Sequence, residues 1–205
     1  SVVPTLFADD LSAEHEGDNE HGDHDWIVCQ LGGFTEVVIQ QIHDDGMEVS
    51  QTKSVVSASN GKLAAALMTR LDKYGIRYNL QVKSLGVGLA AGVRRNTMVI
   101  NARLKKFRGR VPRFQALRRV GVDTARVMRT GGTAAMTHGE AGLGVAPSML
   151  LAQRRAATAA GAPKGGLGGQ ELEVAAMILD GSKTGKADPA FPAHADVAQH
   201  WAQAV

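Results

Sequence analysis

Apolar residues at the amino terminus lie on both sides of an acidic pair. Residues 2–7 are almost all apolar, Asp9 and Asp10 follow, and Leu11 resumes the apolar pattern. This arrangement predicts a β-hairpin with the two carboxylates at its tip. Neighbouring carboxylates repel each other, and a divalent cation removes that cost because hard cations prefer carboxylate oxygens. The pair is therefore a candidate metal site, although an acidic surface turn has the same pattern.

Apolar residues at helical spacing predict two helices in the first half of the chain. The first spans residues 26–45 and the second spans residues 61–74, and a glycine follows each of them as a stop signal. Ser59 or Asn60 is placed to cap the second helix. The apolar positions that define these faces are Ile27, Leu31, Phe34, Val38 and Ile42 in the first helix, and Leu63, Leu67 and Leu71 in the second.

Short alternating or clustered apolar segments predict strands around these helices. Residues 47–49 and 54–57 have strand character, and residues 78–80 and 82–87 form a second strand pair that leads into a glycine-rich loop at 88–92. Helices and short strands in this order predict an α+β fold.

Composition limits the class of protein. The chain has 205 residues, of which 44% are hydrophobic, so one or two domains with a core are expected. The single cysteine, Cys29, excludes an internal disulfide and favours a reducing, intracellular compartment, with nucleus and cytoplasm left open. Because the sequence has no apolar run of about 20 residues, no membrane span is expected. Its first and last residues indicate a piece of a longer polyprotein.

Charge is distributed unevenly along the chain. Residues 1–50 contain 12 of the 20 acidic residues and no lysine or arginine, whereas residues 51–131 contain 18 of the 23 basic residues and two acids. An acidic region beside a strongly basic one is unusual for an enzyme of small molecules. It is typical of a protein that holds metal ions at one place and a polyanion at the next.

The basic region, residues 94–129, interleaves cations with apolar residues. Pro112 and Gly121 divide it, so two or three short helices with one apolar and one basic face are expected. Such a face binds phosphates without reading sequence, although many charge runs are only solvated surface. The cations assigned to nucleic-acid binding are Arg103, Lys105, Lys106, Arg108, Arg110, Arg113, Arg118 and Arg119.

Two further segments complete the sequence pattern. Residues 14–25 contain no apolar side chain, so a solvated loop is expected there; weak Zn²⁺ or Ni²⁺ binding by its histidines, His15, His21 and His24, is the alternative. After a separator at 130–133, the remaining segments read as helices joined by a glycine-rich linker at 161–169. The predicted helices span residues 134–143, 147–160, 170–179 and 194–204.

The order of these segments resembles the second half of a reverse transcriptase palm of the non-LTR retrotransposon type. The shared features are the Phe-Ala-Asp-Asp hairpin at 7–10, an amphipathic helix, the Gly…Lys segment at 46–56, a second helix, and the Lys-Ser-Leu-Gly-Val segment at 83–87. The resemblance covers residues 1–90. It implies a partial polymerase palm at 1–90, a basic thumb-like helical region at 91–131 and an Ala/Gly-rich helical region at 132–205.

The resemblance also implies roles for particular residues. Asp9 and Asp10 would hold two Mg²⁺ or Mn²⁺ ions, and Lys53 would assist the departure of pyrophosphate. The turn that contains Leu85, Gly86 and Val87 would grip the primer end. The expected partners are an RNA template, a DNA primer, a deoxynucleoside triphosphate and the rest of the polyprotein.

The activity implied is that of an RNA-directed DNA polymerase. The family also needs an aspartate on an earlier palm strand and fingers that hold the template, and neither occurs in these residues, so the chain alone is expected to be inactive. The alternative is a decayed remnant that acts only as a basic nucleic-acid-binding module. A third possibility is an acidic metal-binding protein built on residues 14–25.

Overall fold

The computed structural model divides the chain into two compact units. The first is Ser1–Val82 with Leu89–Arg94, and the second is Lys83–Gly88 with Arg95–Val205. Helices and two-stranded sheets together confirm the α+β class, while a polymerase palm stays a prediction. At several strand and terminal positions, Asp10 among them, only the backbone is described. The residues that the structure describes are 2–7, 10–15, 24–84, 86–91, 95–161 and 186–204.

The amino terminus forms an antiparallel hairpin. Strands β1 (Val2–Phe7) and β2 (Asp10–His15) pair in a register that places Phe7 opposite Asp10. This confirms the predicted hairpin strands; Ala8 and Asp9 lie outside the described residues. The solvated loop expected from residue 14 is wrong for its first two positions, because backbone pairing with β1 continues to His15 whatever the polarity of the side chains.

Helix α1 (His24–Asp44) begins two residues earlier than predicted and ends where expected. At its end the Met47 amide donates to the Ile42 carbonyl at 2.9 Å, and Gly46 has a φ of 76°. Gly32 is buried in the middle of the helix, where a β-carbon would lie 2.6 Å from Cδ of Arg70. Because Gly32 has no β-carbon, the Arg70 side chain can pack directly against α1.

Helix α2 (Gly61–Leu71) follows its sequence pattern. The Asn60 side chain accepts a hydrogen bond from the Leu63 amide at 2.8 Å, and a 3₁₀ turn leads to Gly75 at a φ of 69°. Its leucine face packs with α1 in the core of the first unit. The buried members of that core are Ile39, Val56, Ala58, Leu63, Ala64, Leu67, Leu71 and Ile76.

The strand pairs differ from the prediction. Strand β3 (Val55–Val56) pairs in parallel with β4 (Arg77–Tyr78), so the partner predicted for residues 78–80 is wrong. Helix α2 connects the two strands, and a parallel pair requires such a crossover. Two segments between α1 and α2 were predicted as strands. Residues 47–49 form no strand, and only residues 55–56 of the other segment pair with a partner strand.

A second hairpin follows β4. Strands β5 (Gln81–Ser84) and β6 (Val87–Ala90) form a two-stranded sheet. Gly86 has a φ of 80°, which suits a tight turn, and Leu85 lies outside the described residues. The loop predicted at 88–92 is wrong for residues 88–90, because these continue β6.

The basic region folds as three short helices, as predicted. They are α3 (Met98–Arg108), α4 (Val111–Arg119) and α5 (Thr124–Val127). Pro112 lies in the first turn of α4, where its missing amide costs nothing, and Gly121 follows at a φ of 88°. The rings of Phe107 and Phe114 pack between α3 and α4, with their centroids 5.7 Å apart.

The separator predicted at 130–133 is wrong. The backbone continues from α5 through a wide helical turn, Met128–Gly132, into α6 (Thr133–Thr137). A β-carbon on Gly132 would lie 2.6 Å from Sδ of Met128, a side chain with no exposed surface. The glycine thus makes room for a core methionine and does not end the helix.

The helix predicted at 134–143 is split. It breaks at Gly139, which has a φ of 87° and where a β-carbon would lie 2.9 Å from Cγ2 of Val87, before α7 (Glu140–Leu143) begins. Helix α8 (Pro147–Gly161) confirms the next prediction, and its start at Pro147 is as expected. The predicted helix at 170–179 and nearly all of the predicted linker lie outside the described residues.

The carboxyl-terminal segment packs onto the same helices. A wide turn, Pro192–Asp196, leads into α9 (Val197–Ala204), so the predicted helix at 194–204 is regular only from Val197. Both carboxylate oxygens of Asp188 accept from the Arg154 guanidinium, at 3.0 and 2.9 Å. The core of this unit joins Leu104, Phe107, Met128, Met136, Ala156, Ala157, Ala160 and Ala187.

Candidate nucleic-acid interface

The predicted metal site lies at the tip of the first hairpin. Asp10 opens β2 opposite Phe7, and Asp9 lies outside the described residues. Within the described ranges, no group of three or more histidine, cysteine, aspartate or glutamate side chains is close enough to hold a metal ion. Carboxylate oxygens suit Mg²⁺, so the donor chemistry of the pair fits the ion, and the assignment of Asp9 and Asp10 stays a prediction.

Lys53 lies on an exposed turn between α1 and β3. Its backbone amide donates to the Ser50 carbonyl at 3.2 Å, which closes the turn. The side chain is solvent-exposed. Lys53 therefore has the exposure and the charge that a role at a phosphate would need, and that role stays a prediction.

The turn predicted to grip a primer is tied to helix α3. Nη2 of Arg103 donates to the Gly86 carbonyl at 2.6 Å, and Nη1 donates to the His138 carbonyl. A β-carbon on Gly86 would lie 3.0 Å from Nη2 of Arg103. A β-carbon on Gly139 would lie 2.9 Å from Cγ2 of Val87. The hairpin turn, α3 and the α6–α7 connection therefore meet at one guanidinium.

The predicted cations of the basic region form no salt bridges in the part of the chain that the structure describes. Residues 95–161 contain only two acids. Asp123 lies 4.0 Å from Arg129 and accepts the Arg126 amide, and Glu140 is buried. None of the eight cations from Arg103 to Arg119 forms a salt bridge with a described carboxylate. Apart from Arg103, whose charge acts on Glu140, these cations remain available to an external anion.

A groove on one side of α3 collects three of these cations. Arg103, Lys106 and Arg110 line a cavity of about 180 Å³ together with the ring of Phe107 and with Ala135. Their spacing of three and four residues aligns them along one side of the helix and its end. Lys106 and Arg110 are exposed, whereas Arg103 is half-buried and held by its two carbonyl acceptors.

The second unit also contains a buried carboxyl group that the sequence did not indicate. Glu140 has no exposed surface, and its Oε1 accepts from Nε2 of Gln153, which is also fully buried. Among the described residues, Oε2 of Glu140 and Oε1 of Gln153 have no hydrogen-bond partner. Burial raises the pKa of Glu140, and the Gln153 hydrogen bond and the charge of Arg103 oppose that shift. An isolated glutamate between glycine and alanine gave no sequence signal of this environment.

The comparisons with known proteins bring no relative. No known protein family, no curated protein and no solved structure gives a significant match to the chain. Among the described helices, none has the length and apolar character needed to cross a lipid bilayer. The functional argument therefore rests on the residues themselves.

Proposed function

We propose that the chain is part of an RNA-directed DNA polymerase of a retroelement and that its second unit binds the template–primer duplex. The observation that carries the proposal is the surface of eight cations on and between α3 and α4, which lacks described carboxylate partners. Such a surface binds phosphate groups in any sequence, as a polymerase that moves along its template requires.

The sequence order supports the polymerase half of the proposal. Hairpin β1–β2 is followed by α1, the Lys53 turn, α2 and hairpin β5–β6, in the order that the resemblance to reverse transcriptases requires. In the reaction, the primer 3′-oxygen forms a bond to the α-phosphorus of a deoxynucleoside triphosphate, and the bond from that phosphorus to pyrophosphate breaks. Mg²⁺ held by Asp9 and Asp10 would stabilise the charge that develops on the phosphate oxygens. Lys53 would neutralise the departing pyrophosphate.

The test is primer extension on an RNA template by a polypeptide that contains this chain and is supplied with the other palm carboxylate. Asp9→Asn combined with Asp10→Asn should abolish extension and leave duplex binding unchanged, because the cations lie in the other unit. Equal extension by wild type and variant would overturn the metal assignment.

The second candidate is a nucleic-acid-binding module without polymerase activity. The groove beside α3 favours it, since the cationic side chains of Arg103, Lys106 and Arg110 can bind phosphate without a metal ion. This candidate is selected if the wild type and the variant with Asp9→Asn and Asp10→Asn both bind duplex in a salt-dependent way and neither extends the primer.

A further inference from the structure

The buried pair of Glu140 and Gln153 contains two oxygen atoms that lack a hydrogen-bond donor. Nε2 of Gln153 donates to Oε1 of Glu140, and among the described residues no donor reaches Oε2 of Glu140 or Oε1 of Gln153. Neither side chain has exposed surface. Buried acceptors are almost always hydrogen-bonded in proteins, and an ionised carboxylate has no hydrogen to offer the amide oxygen.

A single proton on Oε2 of Glu140 supplies the missing donor. A protonated carboxyl group has one O–H donor, and a carboxamide offers both an N–H donor and a carbonyl acceptor. The two groups can therefore pair through two hydrogen bonds that run in opposite directions. Both oxygens have almost no surface that water can reach, and a proton needs no cavity, whereas a water molecule does.

Helix α7 is bounded by two glycines that can act as hinges. The helix is a single turn of four residues, and Glu140 is its one buried residue. Gly139 and Gly144 flank it at φ values of 87° and 67°, a region that glycine enters without strain. The packing of α7 therefore depends mainly on the state of Glu140.

The charged groups around Glu140 do not replace the proton. The charge of Arg103 on α3 lowers the pKa of Glu140, but burial has the larger, opposite effect. Arg103 forms no salt bridge with Glu140, because Nη1 and Nη2 each donate to a backbone carbonyl. The other charged or titratable side chains on the segments next to α7 and beside Gln153 are Arg95, His138, Arg154, Asp188, His194 and Asp196.

We propose that Glu140 is a proton switch that docks α7 against Gln153 when it is protonated and releases α7 at the Gly139 and Gly144 hinges when it is ionised. The proton passes between Oε2 and solvent, so the step needs no other reactant. An ionised carboxylate is far more stable in water than in a core, and opening one helical turn exposes it without unfolding the whole unit. This inference does not depend on the proposed function.

The first experiment measures amide hydrogen exchange in α7 of the full chain, from below pH 4.5 upwards. The reporters are the amides of Leu143 and Gly144, which donate to the carbonyls of Gly139 and Glu140 at 3.2 and 2.7 Å. After correction for the intrinsic exchange rate, the opening constant of the wild type should rise about tenfold per pH unit between 4.5 and the folded pKa of Glu140. It should be constant below and above this range.

Glu140→Gln should remove the pH dependence, because its amide donates to Gln153 in place of the proton. Asp196→Asn and His194→Gln are the controls, since each removes a titratable side chain from the segment that packs on α7. Both controls should keep the wild-type profile. The same profile in Glu140→Gln, or its loss in either control, would overturn the switch.

The second experiment follows the side-chain carboxyl carbons of the glutamates by ¹³C NMR in the wild type, so it stays decisive if Glu140→Gln does not fold. The Glu140 resonance, assigned through its bonds to the Glu140 backbone, should titrate above pH 4.5, with a midpoint that added Mg²⁺ or Ca²⁺ leaves unchanged. A midpoint at or below 4.5 would overturn the protonated pair. A midpoint that either cation lowers would also overturn it, because the two oxygens would then belong to a metal site.

Discussion

The charged residues around Glu36 in the first unit and the cations of α3 and α4 in the second unit have opposite surroundings. In the first unit, the carboxylate of Glu36 lies 2.6 Å from Nη2 of Arg70 and 3.1 Å from Nζ of Lys73, so opposite charges stabilise the fold from within. In the second unit, the cations of α3 and α4 have no described carboxylate partner, and the buried Glu140 contacts an amide. Charges paired internally contribute to folding, whereas unpaired like charges repel and favour an external polyanion.

The cores of the two units differ as well. The first core is built mainly from leucine, isoleucine and valine, while half of the second core is alanine. Small residues at half of the buried positions let the helices of the second unit approach closely. The first core depends on large side chains and should respond strongly to their loss.

The largest effect that we predict for a single substitution is therefore in the first core. Leu67, 1% exposed, lies at the centre of the α2 face. Leu67→Ala should lower the free energy of unfolding by about 2–5 kcal/mol, because it removes buried apolar surface and leaves a cavity. Urea unfolding measures this loss, and amide hydrogen exchange in α1 and α2 localises it. Val37→Ala, at a position 69% exposed, is the control; similar losses for both would contradict the assigned core.

Local sequence signals predicted the elements that depend on neighbouring residues. The signals for α2 all come from residues close together in sequence. They are the four-residue spacing of Leu63 and Leu67, the Asn60 cap and the Gly75 stop, and the structure confirms each of them. The β3–β4 pairing could not be predicted this way, because it joins two-residue strands that are far apart in sequence. The break at Gly139 has the same origin, since Val87 approaches it from a distant hairpin.

The candidate site shows the same limit. The sequence predicted the run of cations correctly as basic helices, because charge and apolar spacing are both visible in it. It could not distinguish Arg103 from Arg113, although the first is anchored on two carbonyls and the second is exposed. Nor could it show that Glu140 is buried, since that depends on how α7 packs within the second unit.

The next largest effect is expected at Glu140, and it should be stabilising. Glu140→Gln supplies an amide that can donate to the unpartnered Oε1 of Gln153 while still accepting from Nε2. Because an unsatisfied buried polar group costs about 1–3 kcal/mol, the variant should be more stable at neutral pH by about 1 kcal/mol or more. Urea unfolding of both proteins at neutral pH measures the difference.

The stability advantage of Glu140→Gln should depend on pH. The Glu140 carboxyl titrates near 4.5 in the unfolded chain, and burial raises its pKa in the folded state. Between these values only the unfolded state is ionised, so the wild type loses stability as pH rises through the folded pKa. Glu140→Gln should lack this loss, so the advantage of the variant should shrink as the pH falls from the folded pKa towards 4.5 and should stay constant below it. An advantage that does not depend on pH would contradict the assignment.

The smallest effect concerns the paired charges of the first unit. The hydrogen bonds from Arg70 and Lys73 lower the pKa of Glu36 to about 2. The wild type should therefore be more stable than Glu36→Gln above pH 4.5, and the difference should vanish as the pH falls towards 2. Solvent reaches the Glu36 side chain, which is 25% exposed, so added salt should reduce the difference further. Urea unfolding across this pH range, at low and high salt, measures both dependences.

A comparison with Glu48→Gln distinguishes the loss of an ion pair from the loss of a negative charge. Glu48 is exposed in the same unit and forms no salt bridge within the described residues, so its substitution removes the same charge without breaking a pair. If both variants lose stability equally and with the same pH dependence, net charge alone explains the result. The contrast between the units would then fail, because the Glu36 ion pairs would contribute no more to folding than the cations of α3 and α4 do. A loss confined to Glu36→Gln would show that the first unit uses its charge internally.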